Sequence, residues 1–418
     1  MTVQTVLSSE GMYNLLIDVL QGVSAIFLFL LLIIILNKAW RESKEGFIAR
    51  KRREMEPGLF RYVMGREPVE AFLPAHTSMR DWPVIEQIFF DLRRVARGNV
   101  SDRAREAFEA LGIVDHHLEQ IESRRWWLRA DAAEKLGLMG SGKAVPALIK
   151  KMSDPTPEVR VRAAQALGLI GTTESLRPLV LALRDAGRWS AIRVAGMLIS
   201  AGDEAVDVLL EEFDRLPDHA KISAIDIFGR IKSLRATTLL RALMRDSHAD
   251  LRARAAHAIG MIGDPTAADV LIAGLSDTEW AVRAMAAKAL GRLRESESIP
   301  ALASALSDPQ WWVRANAAEA LKAKGPAGQD SLLKTLDSDD PYAAQQAVQM
   351  LQESGVLDAF VGMLTSPAPG DQARALGVMA KLVKLRRIDL LTEVARDHPD
   401  RMIRQRLAAL LGLRAAAS

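Results

Sequence analysis

Side chains that could do chemistry are few in this sequence of 418 residues, and their spacing forms no catalytic motif. Seven histidines are scattered along the chain, none is followed by glutamate, and no HExxH pattern or nucleophile elbow occurs. His116 and His117 are adjacent and would face different directions on a helix, which disfavours a shared metal ion. Gly140–Lys143 lacks the glycine and strand that precede a phosphate loop and is typical of a turn between helices. We therefore expect no enzyme activity, no cofactor and no metal.

Arginines recur at regular intervals through the last two thirds of the chain. Neighbours are about 30 to 33 residues apart, or near multiples of that, and in four copies an aspartate stands six residues earlier. Periods of this length are typical of solenoids. The recurring arginines are Arg129, Arg160, Arg193, Arg252, Arg283, Arg314, Arg374 and Arg404.

Each copy has the pattern of two consecutive helices. In the copy that starts at Asp277, apolar residues from Val282 to Leu293 recur at i, i+3, i+4, i+7, i+8 and i+11, which gives one buried helix face. A shorter apolar helix follows from Ile299 to Leu306. One copy cannot bury its apolar face alone, whereas stacked copies can. The predicted fold is therefore all-α.

The copies from Ser123 to about Leu413 resemble the HEAT-like repeat, in the short form also found in phycobilin lyases. The Val-Arg pair, the following alanine pair and a Leu-Gly marker such as Leu290-Gly291 carry the resemblance. It implies a right-handed α-solenoid in which the Val-Arg helices line the concave surface, and an Asp–Arg ladder joins neighbouring copies. The implied ladder residues are Asp154, Arg160, Asp246, Arg252, Asp277, Arg283, Asp308 and Arg314. Deoxyhypusine hydroxylase, which has similar repeats, holds iron with His-Glu pairs, and this chain has none.

Residues 15–36 are predicted to form a single transmembrane helix. Twenty-two helical residues reach about 33 Å, enough to cross a hydrocarbon core. No Lys or Arg precedes this stretch and seven follow it, so the positive-inside rule places the N-terminus outside and the rest in the cytoplasm of a cell (inner) membrane. The basic residues serve as a topology signal or contact anionic lipid. They are Lys38, Arg41, Lys44, Arg50, Lys51, Arg52 and Arg53.

Two other interpretations of the apolar stretch fit less well. A cleaved signal peptide has a basic start and a small-x-small cleavage site, and neither is present. A buried helix of a soluble protein is rarely so long and so apolar on every side.

The predicted order along the chain places a helical cap between the membrane segment and the repeats. Pro57, Gly58, Pro68 and Pro74 are expected to end any long helix between the two. The segments are an extracytoplasmic N-terminus at 1–14, the span at 15–36, a basic juxtamembrane stalk and linker at 37–80, an N-terminal helical cap at 81–122 and the solenoid at 123–418.

Tryptophans cluster just before the ladder arginines. On the helix that carries Trp280, this ring lies off the apolar face, which fits a protein-binding groove. The alternative is that the rings fill turns between copies, and the sequence leaves both open. The candidate partner-binding residues are Trp126, Trp127, Trp189, Trp280, Trp311 and Trp312.

The predicted function is that of a non-catalytic, membrane-anchored scaffold. The partner would be a protein, such as a subunit of an integral membrane enzyme or transporter complex, for example a polysaccharide-synthesising glycosyltransferase. A lyase-class enzyme or chaperone-like subunit that resembles phycobilin lyases is the alternative, and bilin binding would separate the two. A nucleic-acid partner is disfavoured, because the net charge is +3 overall and +5 for residues 38–53, which leaves −2 for the rest.

Overall fold

The computed structural model describes residues 9–65, 79–95, 98–185, 187 and 189–412, and no strand occurs among them. The α-helices, numbered here in chain order, begin with α1 Ser9–Val63, α2 Trp82–Val95, α3 Asn99–Ala110 and α4 Ile113–Gln120. The next are α5 Trp126–Met139, α6 Val145–Lys151, α7 Pro157–Ile170, α8 Thr173–Ala182, α9 Ala191–Ala201, α10 Asp203–Glu212, α11 Asp218–Ile231 and α12 Thr237–Leu243. The last are α13 Ala249–Ile262, α14 Ala268–Gly274, α15 Trp280–Leu290, α16 Ile299–Ala305, α17 Trp311–Ala323, α18 Pro326–Thr335, α19 Pro341–Glu353, α20 Val356–Met363, α21 Pro369–Lys384, α22 Ile388–Asp397 and α23 Arg401–Leu410.

The chain divides into two compact units, and the division falls inside α6 and α7. Unit 1 comprises residues 1–147 and 154–162, and unit 2 comprises 148–153 and 163–418. Residues 123–147 therefore fall in unit 1 together with the N-terminal helices.

Unit 1 is built around the apolar faces of α2 and α3, against which the end of α1 packs. Ile85 and Phe89 of α2 are fully buried, and the Phe89 ring meets Phe108 of α3 edge to face, with 5.1 Å between centroids. Leu59 of α1 is fully buried as well. This packing attaches the long N-terminal helix to unit 1.

The prediction that Pro57 ends the helix is wrong, because α1 continues through it to Val63. Proline removes one backbone N–H and costs about 3 kcal/mol inside a helix. Contacts after Pro57 offset that cost: Leu59 is buried, the Tyr62 hydroxyl donates to the Arg103 carbonyl at 3.1 Å, and Arg103 donates to the Tyr62 carbonyl at 2.6 Å. Pro68 and Pro74 lie outside the described residues.

Among the described residues, α1 is the helix that is long and apolar enough to cross a membrane. None of its apolar stretch is buried against the rest of the protein. Length and composition are the basis of this assignment.

Unit 2 consists of consecutive helix pairs. The first helix of each pair, odd-numbered here, carries the position of the recurring arginine, and the even-numbered helix follows it. First helices of neighbouring copies pack directly on one another from α9 to α19.

Three glycines allow the first helices to approach closely. They are Gly229, Gly260 and Gly291, at 31-residue intervals on α11, on α13 and at the end of α15. A Cβ on Gly260 would lie 2.7 Å from both Cα and Cβ of Ala289 on the next first helix. Backbones in such contact leave no room for a side chain at this position, which explains why small residues recur here.

Candidate functional site

Arginine–aspartate pairs join consecutive first helices in unit 2. Arg252 donates from Nε and Nη2 to the two carboxylate oxygens of Asp277, both at 2.8 Å. Arg283 does the same to Asp308, at 2.6 and 3.0 Å. The Nη1 atom of each arginine also donates to a carbonyl ahead of its own helix, at Asp246 and Asp277 respectively. Each arginine therefore links its own copy to the next.

The aspartates also hold the turn that precedes each first helix. Asp277 Oδ1 accepts the Glu279 N–H at 2.9 Å, and Asp308 Oδ1 accepts the Gln310 N–H at 2.8 Å. A carboxylate with these partners is preorganised to receive the guanidinium of the preceding copy.

Hydrogen bonding lowers the pKa of both carboxyls. For Asp277 the largest influence is the hydrogen bond from Arg252, which lowers the pKa and outweighs burial. For Asp308 burial is the largest single influence and raises the pKa, but the hydrogen bonds from Arg283 and the Gln310 N–H, together with the charges of Arg283 and Arg314, give a net lowering.

The same arginine–aspartate pair with two hydrogen bonds occurs in unit 1. Its arginine was not among the implied ladder residues. Arg129 donates from Nε and Nη2 to Asp154, both at 2.8 Å. Its Nη1 donates to the Ser123 carbonyl at 3.0 Å. The sequence signal was available, because Arg129 precedes Asp154 by 25 residues, the interval that also separates Arg252 from Asp277.

Other implied ladder residues have different partners. Arg160 donates to the carbonyls of Asp154 and Pro155 within unit 1. Asp246 accepts the His248 N–H at 2.8 Å, and the cation 25 residues before it is Lys221, which contributes to the lowered pKa of Asp246 after the larger effect of His248.

Arg314 ends the paired series. Its Nη1 donates to the carbonyls of Asp308 and Pro309, its guanidinium lies 4.9 Å from the centroid of the Tyr342 ring, and its buried Nε has no hydrogen-bond partner. Its guanidinium therefore packs against an aromatic ring, although Asp339 stands 25 residues after Arg314.

The predicted tryptophans stand at the N-terminal ends of first helices. In unit 2, Trp280 is the first residue of α15, while Trp311 and Trp312 open α17. Their exposed fractions are 43%, 51% and 58%, so about half of each side chain reaches solvent. Rings that filled turns would be buried, and this geometry favours a surface role.

A fourth ring, missed in the sequence, continues the series. Tyr342 lies in the first turn of α19, 31 residues after Trp311, which itself follows Trp280 by 31. It is 61% exposed. Because α15, α17 and α19 pack side by side, these rings follow one edge of unit 2. We call Trp280, Trp311, Trp312 and Tyr342 the aromatic row.

The remaining predicted tryptophans lie elsewhere. Trp126 and Trp127 open α5 in unit 1, are 46% and 52% exposed and meet edge to face. Trp189 is partly buried in the segment ahead of α9.

The basic residues that follow the apolar stretch do not all face solvent. Arg52 donates to Asp91 of α2 at 2.8 Å, and Lys51 lies 3.3 Å from Glu54 and 4.0 Å from Asp81. These two side chains therefore connect α1 to α2 and to the turn before it. Those left exposed for a lipid surface are Lys38, Arg41, Arg50 and Arg53, and the side chain of Lys44 lies outside the described set.

His117 and Lys143, which are candidates for chemistry in the sequence, have structural partners. Buried His117 contacts Glu86 at 2.7 Å, and Lys143 of the glycine-containing turn lies 3.9 Å from Glu109. Within the described residues, no group of three or more His, Cys, Asp or Glu side chains could hold a metal ion.

Paired helices whose first members stack side by side and are joined by arginine–aspartate contacts define an α-solenoid of helical repeats. A family model for HEAT repeats matches residues 114–200, 206–278 and 268–352, more than half of the chain. The protein therefore belongs to the HEAT-repeat family, and such a solenoid fits a protein-binding scaffold.

Solved structures match the chain at low identity and with TM-scores below 0.5. An engineered protein is 20% identical over 72% of this chain and 98% of its own, with a TM-score of 0.33. Human deoxyhypusine hydroxylase in complex with glycerol is 21% identical over 74% of this chain and 98% of its own, with a TM-score of 0.26. The karyopherin Kap121p bound to the SUMO protease Ulp1p is 14% identical over 80% of this chain and 45% of its own, with a TM-score of 0.44. No curated protein matches the sequence.

Proposed function

We propose that this protein is a non-catalytic scaffold that α1 anchors in a membrane and whose aromatic row binds a protein partner. The observation that carries the proposal is the half-exposed state of Trp280, Trp311 and Trp312 on adjacent first helices. Tryptophan and tyrosine bury much apolar area with little loss of side-chain freedom, and they dominate binding free energy at protein interfaces. Nothing in the packing of a repeat requires such rings at its surface.

Membrane anchoring is supported by the unburied apolar stretch of α1 and by the charges that follow it. The positive-inside rule favours a cytoplasmic location for both units. A reporter enzyme that works only in the cytoplasm should therefore be active when it is fused to the C-terminus. Activity of a reporter that works only on the outer side of the membrane would refute this orientation.

The partner we propose is an integral membrane protein, because the anchor confines the solenoid to the membrane surface. A membrane enzyme or transporter, such as a polysaccharide-synthesising glycosyltransferase, fits this location. The short-repeat resemblance to phycobilin lyases has no such geometric support.

Site-specific photo-cross-linking in intact membranes tests the proposal. A photoreactive amino acid would replace Trp280 or Trp311 and, as a matched control, Leu234, which is 64% exposed in unit 2 but outside the aromatic row. We expect the same membrane protein to cross-link from both row positions and not from the control. Cross-links that are equal at all three positions, or absent from the row, would contradict the proposal.

A further inference from the structure

A cleft of about 340 Å³ opens on unit 2 where α9, α11 and α13 meet. Its α9 wall is aliphatic and carries Ile192, which is 83% exposed, together with the partly buried Ile199. An isoleucine this exposed contributes little burial to the fold. It offers an apolar contact that the described residues of the protein leave unused.

The opposite wall is cationic. Arg230 of α11 and Arg254 and His257 of α13 line the cleft, and Asp226 is the one acidic side chain among its lining residues. Asp226 pairs with Arg254 at 3.3 Å in an exposed geometry, where an ion pair contributes about 0–1 kcal/mol. A carboxylate from outside could therefore compete for Arg254.

Two further cations come from the next first helix, with Lys288 on α15 and Arg292 two residues past its end. Lys288 and Arg292 are exposed, and together with Arg254 they lower the pKa of His257, after the larger effect of burial; Asp226 acts in the opposite direction. The charges of the three cations therefore act on a histidine that lines the cleft. Within the described residues, neither Lys288 nor Arg292 nor Arg230 forms an ion pair. The positive field is therefore available to a ligand.

We infer that this cleft binds an acidic segment of a partner protein, with carboxylates against Arg230 and its neighbours and an aliphatic side chain against Ile192. Charge complementarity selects the acidic segment, and the apolar wall favours a peptide over a nucleic acid. Unit 2 holds the whole cleft. The cations in and beside it extend only from α11 to the end of α15, which is short for a nucleic-acid track. The inference rests on the proposed protein-binding role but not on the aromatic row.

The test measures binding of a fluorescein-labelled peptide, a run of glutamates with one leucine pair, to the full-length protein in non-ionic detergent. A glutamine version of the peptide controls for charge, and a single-stranded DNA oligonucleotide tests the nucleic-acid alternative. Three variants are compared. The first combines Arg230→Glu with Lys288→Glu, and the second is Ile192→Ser. The third, Arg245→Glu, is a matched control at an exposed cation outside the cleft. All replaced side chains are exposed, and melting temperatures verify folding.

We expect the acidic peptide to bind, the glutamine peptide to bind much less, and rising salt to weaken the complex. The double charge reversal should weaken binding roughly tenfold or more, Ile192→Ser should weaken it less, and Arg245→Glu should leave it unchanged. Equal binding by the double variant and the control, or tighter binding of the oligonucleotide at the same residues, would overturn the inference. A Trp280→Ala variant should still bind the acidic peptide, because the cleft does not include the aromatic row. Its peptide binding therefore tests the cleft even if the aromatic row binds no partner.

Discussion

Arg283 donates two hydrogen bonds to the carboxylate of Asp308, 25 residues further along the chain, and a third to the carbonyl of Asp277 ahead of its own helix. One side chain thus joins α15 to the turn that starts α17 and closes the turn before α15. The Arg283 side chain is 15% exposed and that of Asp308 is 8% exposed. Partly buried, charge-assisted pairs of this kind are stronger than surface ion pairs.

Removal of the Arg283 side chain should destabilise unit 2 without abolishing partner binding. Arg283→Ala removes two of the donors to the shielded Asp308 carboxylate and the guanidinium donor to the Asp277 carbonyl, which costs about 1–3 kcal/mol. The matched control is Arg254→Ala, which breaks an exposed pair with Asp226 and should cost about 0–1 kcal/mol. Thermal melting of both variants checks the prediction. Equal melting temperatures for the two would contradict it.

The arginine–aspartate pairs should make the free energy of unfolding fall at acid pH. Because the pKa of Asp277 and that of Asp308 are lowered by folding, their contribution is fully present above the ordinary value of 3.8 and is lost as the pH falls through the lower folded values. We expect Asp277→Asn to be less stable than the wild type at neutral pH in urea unfolding. The difference should shrink only below pH 3.8. A difference that stays constant down to pH of about 2 would show that the charge does not matter.

The repeat could be predicted because its pattern recurs at a nearly constant interval. The arginines, the alanine pairs and the apolar face all recur about every 31 residues. The 25-residue interval that relates each arginine to the aspartate of the next copy is also visible in the sequence, but it does not show which pairs form, because Arg314 has Asp339 at this interval and yet packs against Tyr342. Pro57 was misjudged for a related reason. A local rule predicts a helix end, whereas burial of Leu59 and Val63 against unit 1 outweighs the lost hydrogen bond.

The candidate site was partly visible in the sequence. Trp280 and Trp311 could be found as aromatic residues off the apolar face, but their exposure could not be known. Tyr342 was missed because its copy has lost the Val-Arg consensus, although the 31-residue interval was kept. The cleft beside Ile192 needed three helices in place, and two of those belong to copies with weak consensus.

Close backbone contact at Gly260 predicts opposite effects for two glycine replacements. A Cβ at Gly260 would lie 2.7 Å from Ala289, so Gly260→Ala should force the helices apart and cost about 1–3 kcal/mol. Gly377, inside α21, has no atom within 4 Å of that position, and Gly377→Ala should raise stability by up to about 1 kcal/mol. Chemical unfolding measures both. Stabilisation by both replacements would show that first helices pack less tightly than described.

Two N-terminal deletions should separate the proposed anchor from the structural part of α1. Deletion of residues 1–37 removes the apolar stretch but keeps the contacts of Arg52 with Asp91 and the buried Leu59. We expect this shorter protein to leave the membrane fraction and to keep its melting temperature. Deletion of residues 1–63 also removes Leu59 and Val63, whose loss exposes apolar surface of α2 and α3, and it should melt earlier. If the shorter deletion stays in the membrane fraction with its fold intact by circular dichroism, another part of the protein binds the membrane and α1 is not the sole anchor.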